Sequence, residues 1–465
     1  MKNFIIPVET KSRDYESRLL ILIYLIKISK NENINCFFGE RRKILSLNHN
    51  LSNFIYLSLG VDQQLLFYKN LIKNNGICVS LDEEGAIFTN NTKKIKPRHK
   101  NNKYVRPYIT KIFVWGNNAA KDTLEKNNQD INQSNIIVTG NPRFDLSKPF
   151  FKNYYDSKSQ KKNQYILINC AFGTINNYVN PKMEGKYWSL KLSNFPSYKK
   201  YTKPTEDYEK KLFPLFIEGI KSLIHKFPNE KFVIRPHPIE EEETYIKFFK
   251  DYNTVIIDKS QSVQCDFTKA KLLIHNGCTT AIEASFNKLN SICYLPYYDK
   301  NFIQELTSDV SKLIHKKDDL LNSVYDILNK KIINQNIDKK FKIIKPLIDN
   351  IDYFSFEKIS KNLFEINQTK ELTALKHLFK KNSTQNMLHI FFYKLRIKIA
   401  NIYINFFMKK NTTYFSQVKK REFNKLDLSY DEVKHDVDKL SNLLNLDMQI
   451  AIKEIDKNCF IISKK

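Results

Sequence analysis

The stretch Lys271-Leu272-Leu273-Ile274-His275-Asn276-Gly277-Cys278-Thr279-Thr280-Ala281-Ile282-Glu283-Ala284 decides the fold class. Leu272-Leu273-Ile274 is an apolar run of strand length, His275-Asn276-Gly277 a tight turn, and Thr279 and Thr280 are hydroxyl caps before a helix start. Strand, glycine turn and helix in that order build parallel sheets with helices on both faces. The backbone N–H groups of such a helix start, with the hydroxyls of Thr279 and Thr280, can hold a phosphate without a metal. Glu283 is either the capping-box partner or an acceptor for a ligand hydroxyl. Cys278 lies beside His275 with no third orienting group in view, so it reads as a small packed cysteine rather than a nucleophile.

The same punctuation recurs on both sides. Toward the N-terminus, apolar runs at 4–8, 34–38, 77–81, 111–115 and 136–138 alternate with helical stretches at 15–29, 62–73 and 119–126. Closer in, strands at 165–169, 232–234, 254–257, 271–274 and 291–294 alternate with helices at 207–226, around 241–250 and from 280. A polar, lysine-rich stretch separates the two series. The reading is α/β, two doubly wound Rossmann-like domains in tandem with a helical basic C-terminal region, and the loops of both domains facing a shared cleft. The expected divisions are 1–146, a linker at 147–164, a second domain at 165–368, and a basic helical tail at 369–465.

The composition limits the function classes. The chain has 465 residues, 42% of them hydrophobic, enough for full cores. Its net charge of +27 comes from 76 Lys+Arg, of which only ten are Arg, against 49 Asp+Glu. Nucleic-acid readout leans on Arg, so this diffuse lysine excess reads as a solvated surface, with no nucleic-acid partner. Seven dispersed cysteines without a C-x-x-C pair give neither a disulfide framework nor a zinc site. No signal peptide or membrane-spanning run is evident, so a cytoplasmic protein is expected. Within 371–421, however, 11 Lys+Arg face one acid, and Leu388, Phe392, Leu395, Ile399, Ile402 and Phe406 recur at helical spacing. That amphipathic helix either packs on the second domain or anchors the chain peripherally on the anionic inner face of a membrane.

Three further constellations stand where doubly wound sheets present ligand-facing loops. Asp82-Glu83-Glu84-Gly85 follows a strand; three adjacent acids repel one another, which suits a general base, although a solvated acidic turn would look the same. Val233-Ile234-Arg235-Pro236-His237-Pro238 puts Arg235 and His237 on a stiff loop as a phosphate clamp, unless Arg235 pairs with Glu240 or Glu241. Thr139-Gly140-Asn141-Pro142-Arg143-Phe144-Asp145 is either a rigid turn held by Arg143 and Asp145 or a place of ligand contact through Asn141 and Arg143. No Asp-x-Asp motif stands where a divalent metal would be needed.

Together with Ile6-Pro7-Val8-Glu9, these motifs make the chain resemble the bacterial surface carbohydrate biosynthesis proteins, a family of GT-B glycosyltransferases of capsule and lipopolysaccharide loci, over about residues 4–296. Glu83-Glu84-Gly85 and His237-Pro238 are also similar to a pair of signatures in bacterial sialyltransferases, an acid that acts as base and a His-Pro that contacts CMP. The Thr-Gly-Asn segment looks like that of Kdo transferases. The resemblance implies an inverting, metal-independent transferase that moves an ulosonic acid from a CMP-sugar to a glycan or glycolipid acceptor, with no cofactor beyond the nucleotide-sugar. It implies Glu83 as base, with Asp82 and Glu84 in reserve. Arg235, His237, His275, Asn276, Gly277, Thr279, Thr280 and Glu283 would lie on the donor side. A nucleotide-sugar epimerase on the same fold and a non-catalytic membrane-docked assembly factor are the alternatives.

Overall fold

The computed structural model describes residues 2–30, 32–46, 51–61, 65–83, 105–125, 135–176, 203–330, 337–408 and 426–465. Its strands are β1 (Lys2–Val8), β2 (Ile34–Glu40), β3 (Phe54–Ser58), β4 (Gly76–Leu81), β5 (Ile109–Val114), β6 (Ile136–Val138), β7 (Tyr165–Asn169), β8 (Phe232–Arg235), β9 (Val255–Ile257), β10 (Ala270–His275), β11 (Ser291–Tyr294), β12 (Lys312–Ile314), β13 (Ile450–Asp456) and β14 (Cys459–Lys464). The chain folds as two compact units, one from the segments up to Asp145 and from Leu347 onward, the other between Leu146 and Pro346.

In the first unit the strand order is β13-β14-β2-β1-β3-β4-β5-β6. Strands β1 to β6 are parallel, and the near-continuous apolar runs of β1 to β5 are largely buried while β6 is half-buried, as a sheet covered on both faces requires of its inner strands. The chain leaves β1 for β2 on one side and returns to β3 on the other, so the order reverses at β1 and β3. The helix Glu16–Ser29 carries Leu19-Leu20-Ile21-Leu22-Ile23 and Leu25-Ile26, apolar on every side, and every one of these residues is buried. Such a helix needs cover on its outer face too. Helices Ser355–Phe364 and Tyr430–Leu443 pack on it, with the Tyr24 and Phe356 rings 5.5 Å apart and Ser360 Oγ donating to the Ile21 carbonyl at 2.9 Å.

The second unit is a six-stranded parallel sheet, β12-β11-β10-β7-β8-β9. Its order reverses between β7 and β10. Helix Lys203–Lys226 lays Leu212, Phe216, Ile220 and Leu223 on the core formed with Ile166, Ile168, Ile234 and Ile274.

Several expectations change. Residues 347–368 pack with the first unit, not the second, because the all-apolar first helix needs them as cover. The stretch expected as a linker contains helix Lys152–Lys158, which packs on helix Val263–Lys269 of the second unit with Asp156 paired to Lys269 at 2.7 Å. The C-terminal region holds helices, but its end is the β13–β14 hairpin; β14 extends the first sheet by running antiparallel to β2, with Phe460 opposite Phe38. Strands β3 and β12 were also missed. The helix Ser383–Met408 belongs to the first unit.

If the hairpin is integral to the first core, Phe460→Ala should cost about 3–5 kcal/mol, because its ring is fully buried. Urea denaturation reads this directly; a loss under about 1 kcal/mol would make β14 a dispensable edge.

Candidate active site

In the first unit the polar groups at the carboxyl ends of β1, β3 and β4 converge on one buried guanidinium. Arg18 and Glu83 are 0% and 2% exposed. Arg18 Nε and Nη2 lie 2.7 and 2.6 Å from Glu83 Oε1, while Nη1 and Nη2 donate to the carbonyls of Leu57 and Ser58, each at 3.1 Å. One carboxylate oxygen is therefore saturated. The other, Oε2, has the Asn141 amide at 3.4 Å, a long contact that leaves acceptor capacity.

The Glu83 backbone is fixed from the far side. The carbonyl of Asp82 accepts from Trp115 Nε1 at 2.6 Å and from Asn141 Nδ2 at 3.0 Å. Asn141 is itself locked: its N–H donates to Asn350 Oδ1 at 3.2 Å, and its own Oδ1 takes the N–H of Arg143 at 2.9 Å. Asp145 accepts from Asn350 Nδ2 at 2.7 Å and from the Phe356 N–H at 3.0 Å. Gly140, at φ +73°, lies so close to Asn350 that a Cβ would meet that side chain at 2.1 Å. The Thr-Gly-Asn-Pro segment is thus a rigid brace for the base loop, held through Asp145 and Asn350.

Asp14 closes the cluster. It is buried, accepts the N–H groups of Glu9 and Thr10 at 2.8 and 2.7 Å, and is pushed up to about 6 by burial and then by the charge of Glu83. Neither Asp14 nor Arg18 was singled out from sequence. A lone Arg in an otherwise apolar helical run, one turn after an Asp, was the available signal.

In the second unit the loops after β7 and β10 meet where the strand order reverses. Asn169, 2% exposed, donates through Nδ2 to Thr280 Oγ1 at 2.9 Å, and its Oδ1 has no hydrogen-bond partner among the described residues. The Asn276 amide clamps Ala171, accepting its N–H at 2.8 Å and donating to its carbonyl at 3.3 Å. Glu240 takes the Phe172 N–H at 2.5 Å and Glu209 those of Thr174 and Ile175 at 3.0 and 3.2 Å; burial pushes Glu240 up to about 7 and Glu209 to about 8. Gly277 stands at φ +96°, and a Cβ there would lie 4.0 Å from Thr307 Oγ1.

Three expected ligand groups have other work here. Arg235 does not project from its loop: it ends β8, is 8% exposed, and pairs through Nη1 with Asp266 at 3.0 Å rather than with Glu240 or Glu241. His275 is fully buried and accepts the N–H groups of Gly277 and Cys278 on Nδ1 at 3.1 and 3.3 Å. Burial, with the charge of Lys340, pushes its pKa down to about 3, so the ring is neutral and its Nε2–H donates to Ser311 Oγ at 2.9 Å. The N–H groups of that turn are therefore spent on His275. Glu283 is buried near Gln264 Nε2, 3.4 Å from its Oε2, and Thr279 makes no side-chain cap bond. His237 is half-buried, with Nδ1 accepting the Ile239 N–H at 3.3 Å. Thr279 and Thr280 open helix Thr280–Phe286, while Glu84 and Gly85 lie outside the described residues. None of the seven cysteines forms a disulfide, and six are buried.

The fold has solved counterparts. The structure of the wall teichoic acid polymerase TagF matches with a TM-score of 0.51 at 12% identity, over 80% of this chain and 90% of that one. UDP-GlcNAc 2-epimerases from Methanocaldococcus jannaschii and Neisseria meningitidis match at TM-scores of 0.46 and 0.44, with 15% and 12% identity, over 78% of this chain and 99% of each of theirs. No protein-family model matches the sequence, and neither does any curated protein sequence. The two Rossmann-like units are of the GT-B type. Among the described residues no helix is long and apolar enough to cross a membrane.

Arg18→Met should strand a buried Glu83 and cost about 3–5 kcal/mol in urea denaturation, whereas Arg18→Met with Glu83→Met should recover most of the loss. Equal losses in both would show that Arg18 matters for packing alone. Asp14 carries a pH signature. Its folded pKa lies above the unfolded value of about 4, so the folded chain holds a proton that the unfolded chain releases, and this contribution falls as pH rises from about 4 to about 6. Asp14→Asn should remove that component from the stability-versus-pH curve; an unchanged curve contradicts the assignment.

Proposed function

We propose that the chain is an inverting, metal-independent glycosyltransferase of surface-polysaccharide assembly. The observation that carries this reading is a buried carboxylate at the carboxyl end of β4 with one oxygen saturated by Arg18 and the other left with acceptor capacity. A group held this way is oriented before substrate arrives, which is what general-base catalysis needs. In this reading Glu83 Oε2 takes the proton of the acceptor hydroxyl as that oxygen attacks the anomeric carbon and the bond to the donor phosphate breaks. Asp82 serves through its carbonyl as support, and Asn141 acts through Glu83.

The donor nucleotide is assigned to the second unit, where the loops after β7 and β10 flank the reversal of strand order, the usual ligand crevice of open α/β sheets. Supporting this are the buried Asn169 Oδ1, without a hydrogen-bond partner among the described residues, and Gly277, whose missing side chain lets a ligand approach the backbone. In this reading His237, on the loop after β8, bears the charge of the departing phosphate. Arg235, His275 and Glu283 are positioning residues, not ligands. The choice of a CMP-linked ulosonic acid rests on the motif resemblance, as does a glycan or glycolipid acceptor.

The test is incubation with CMP-, UDP- and GDP-sugars, with and without acceptor glycans. Glu83→Gln should slow transfer by about 10²–10⁴-fold with nucleotide binding by calorimetry unchanged, at a temperature where circular dichroism shows the variant folded. Wild-type turnover in that variant removes Glu83 from the mechanism. Conversion of the donor sugar without any acceptor would make the chain an epimerase.

A further inference from the structure

We propose that helices Gln368–Lys381 and Ser383–Met408 form a docking surface for an anionic lipid bilayer, a property independent of the catalytic reading. Met387, Leu388, Phe391, Phe392 and Leu395 are 60, 54, 60, 61 and 41% exposed. At about 100° per residue they project within an arc of about 140°. A contiguous exposed apolar face of this kind marks an interaction site, unlike isolated surface apolar residues. Lys394 and Lys398 are exposed along one edge of the arc, and Lys376, Lys380 and Lys381 are exposed on the preceding helix.

The other side of the element is tied down, so the face is a fixed feature of the first unit. Asn386, 2% exposed, donates to Tyr108 Oη at 2.7 Å, and the Tyr108 and Phe379 rings lie 5.1 Å apart. Charge selects the occupant. Residues 371–421 carry 11 Lys+Arg against one acid, and the whole chain carries +27. Two copies meeting through this face would bring like charges together, whereas an anionic bilayer accepts the aromatic rings at its acyl boundary and the lysines at its phosphates. Since no described helix is long and apolar enough to cross a membrane, the element lies along the surface.

The test uses full-length protein in co-sedimentation with phosphatidylcholine vesicles, with and without phosphatidylglycerol, at low and high salt. Binding should require the anionic lipid and weaken with salt. Phe391→Ser with Phe392→Ser should lower partitioning at least ~10-fold. Lys394→Glu with Lys398→Glu should lower it at least ~25-fold, about fivefold for each charge removed. All four side chains are exposed, so thermal melting should not change. The proposal is overturned by absent or lipid-independent binding, or by variants that sediment like wild type. It is equally overturned if the full-length protein is a dimer that the Phe391/Phe392 variant converts to monomer, since a second copy then covers the face.

Discussion

The first unit is organised around a buried charge that must be neutralised. Burying a guanidinium costs far more than packing can return unless an anion meets it and its remaining donors are filled. Glu83 supplies the anion, and the carbonyls of Leu57 and Ser58 take the other N–H groups. This requirement fixes the end of β4 against the end of β3 and sets the rotamer of Glu83. Asp14 adds a second acid near the same guanidinium, and its pKa is raised first by burial and then by the charge of Glu83.

The second unit solves a different problem, how to hold loops still after parallel strands that end in a crevice. It uses buried side chains in place of further secondary structure. Glu240 and Glu209 gather the N–H groups of the loop after β7, the neutral His275 gathers those of the turn after β10, and Asn276 ties the two together. Arg235 is drawn inward by Asp266, which also accepts from Tyr165 Oη at 2.7 Å and Gln261 Nε2 at 2.7 Å. The residue types that look most like ligands in the sequence are those that brace the loops.

The alternation of apolar runs and helical stretches was legible because a parallel sheet covered on both faces leaves its strands apolar throughout; β6, β7 and β11 fall where the runs predict. The segments carrying Asp82-Glu83, Arg235, His275 and Asn141 lie at strand ends, where the alternation of strand and helix places them. What could not be read was pairing across long separations. Asn350 with Asn141, Arg18 with Glu83 and Arg235 with Asp266 are decided by which buried groups must be satisfied, and no local spacing encodes that. The β13–β14 hairpin was hidden for the same reason: strands rich in lysine and acid on their outer face gain their place only from the open edge of β2.

The central claim is that nucleotide and proton transfer belong to different units. Hydrogen exchange of the full-length protein with and without saturating CMP, CDP, UDP or GDP tests it most directly. The account predicts that one of these nucleotides slows exchange in residues 170–176 and 275–282 while residues 139–145 and the segment around Glu83 are unchanged. Protection centred on the Arg18–Glu83 cluster, or none with any of the four, would contradict it.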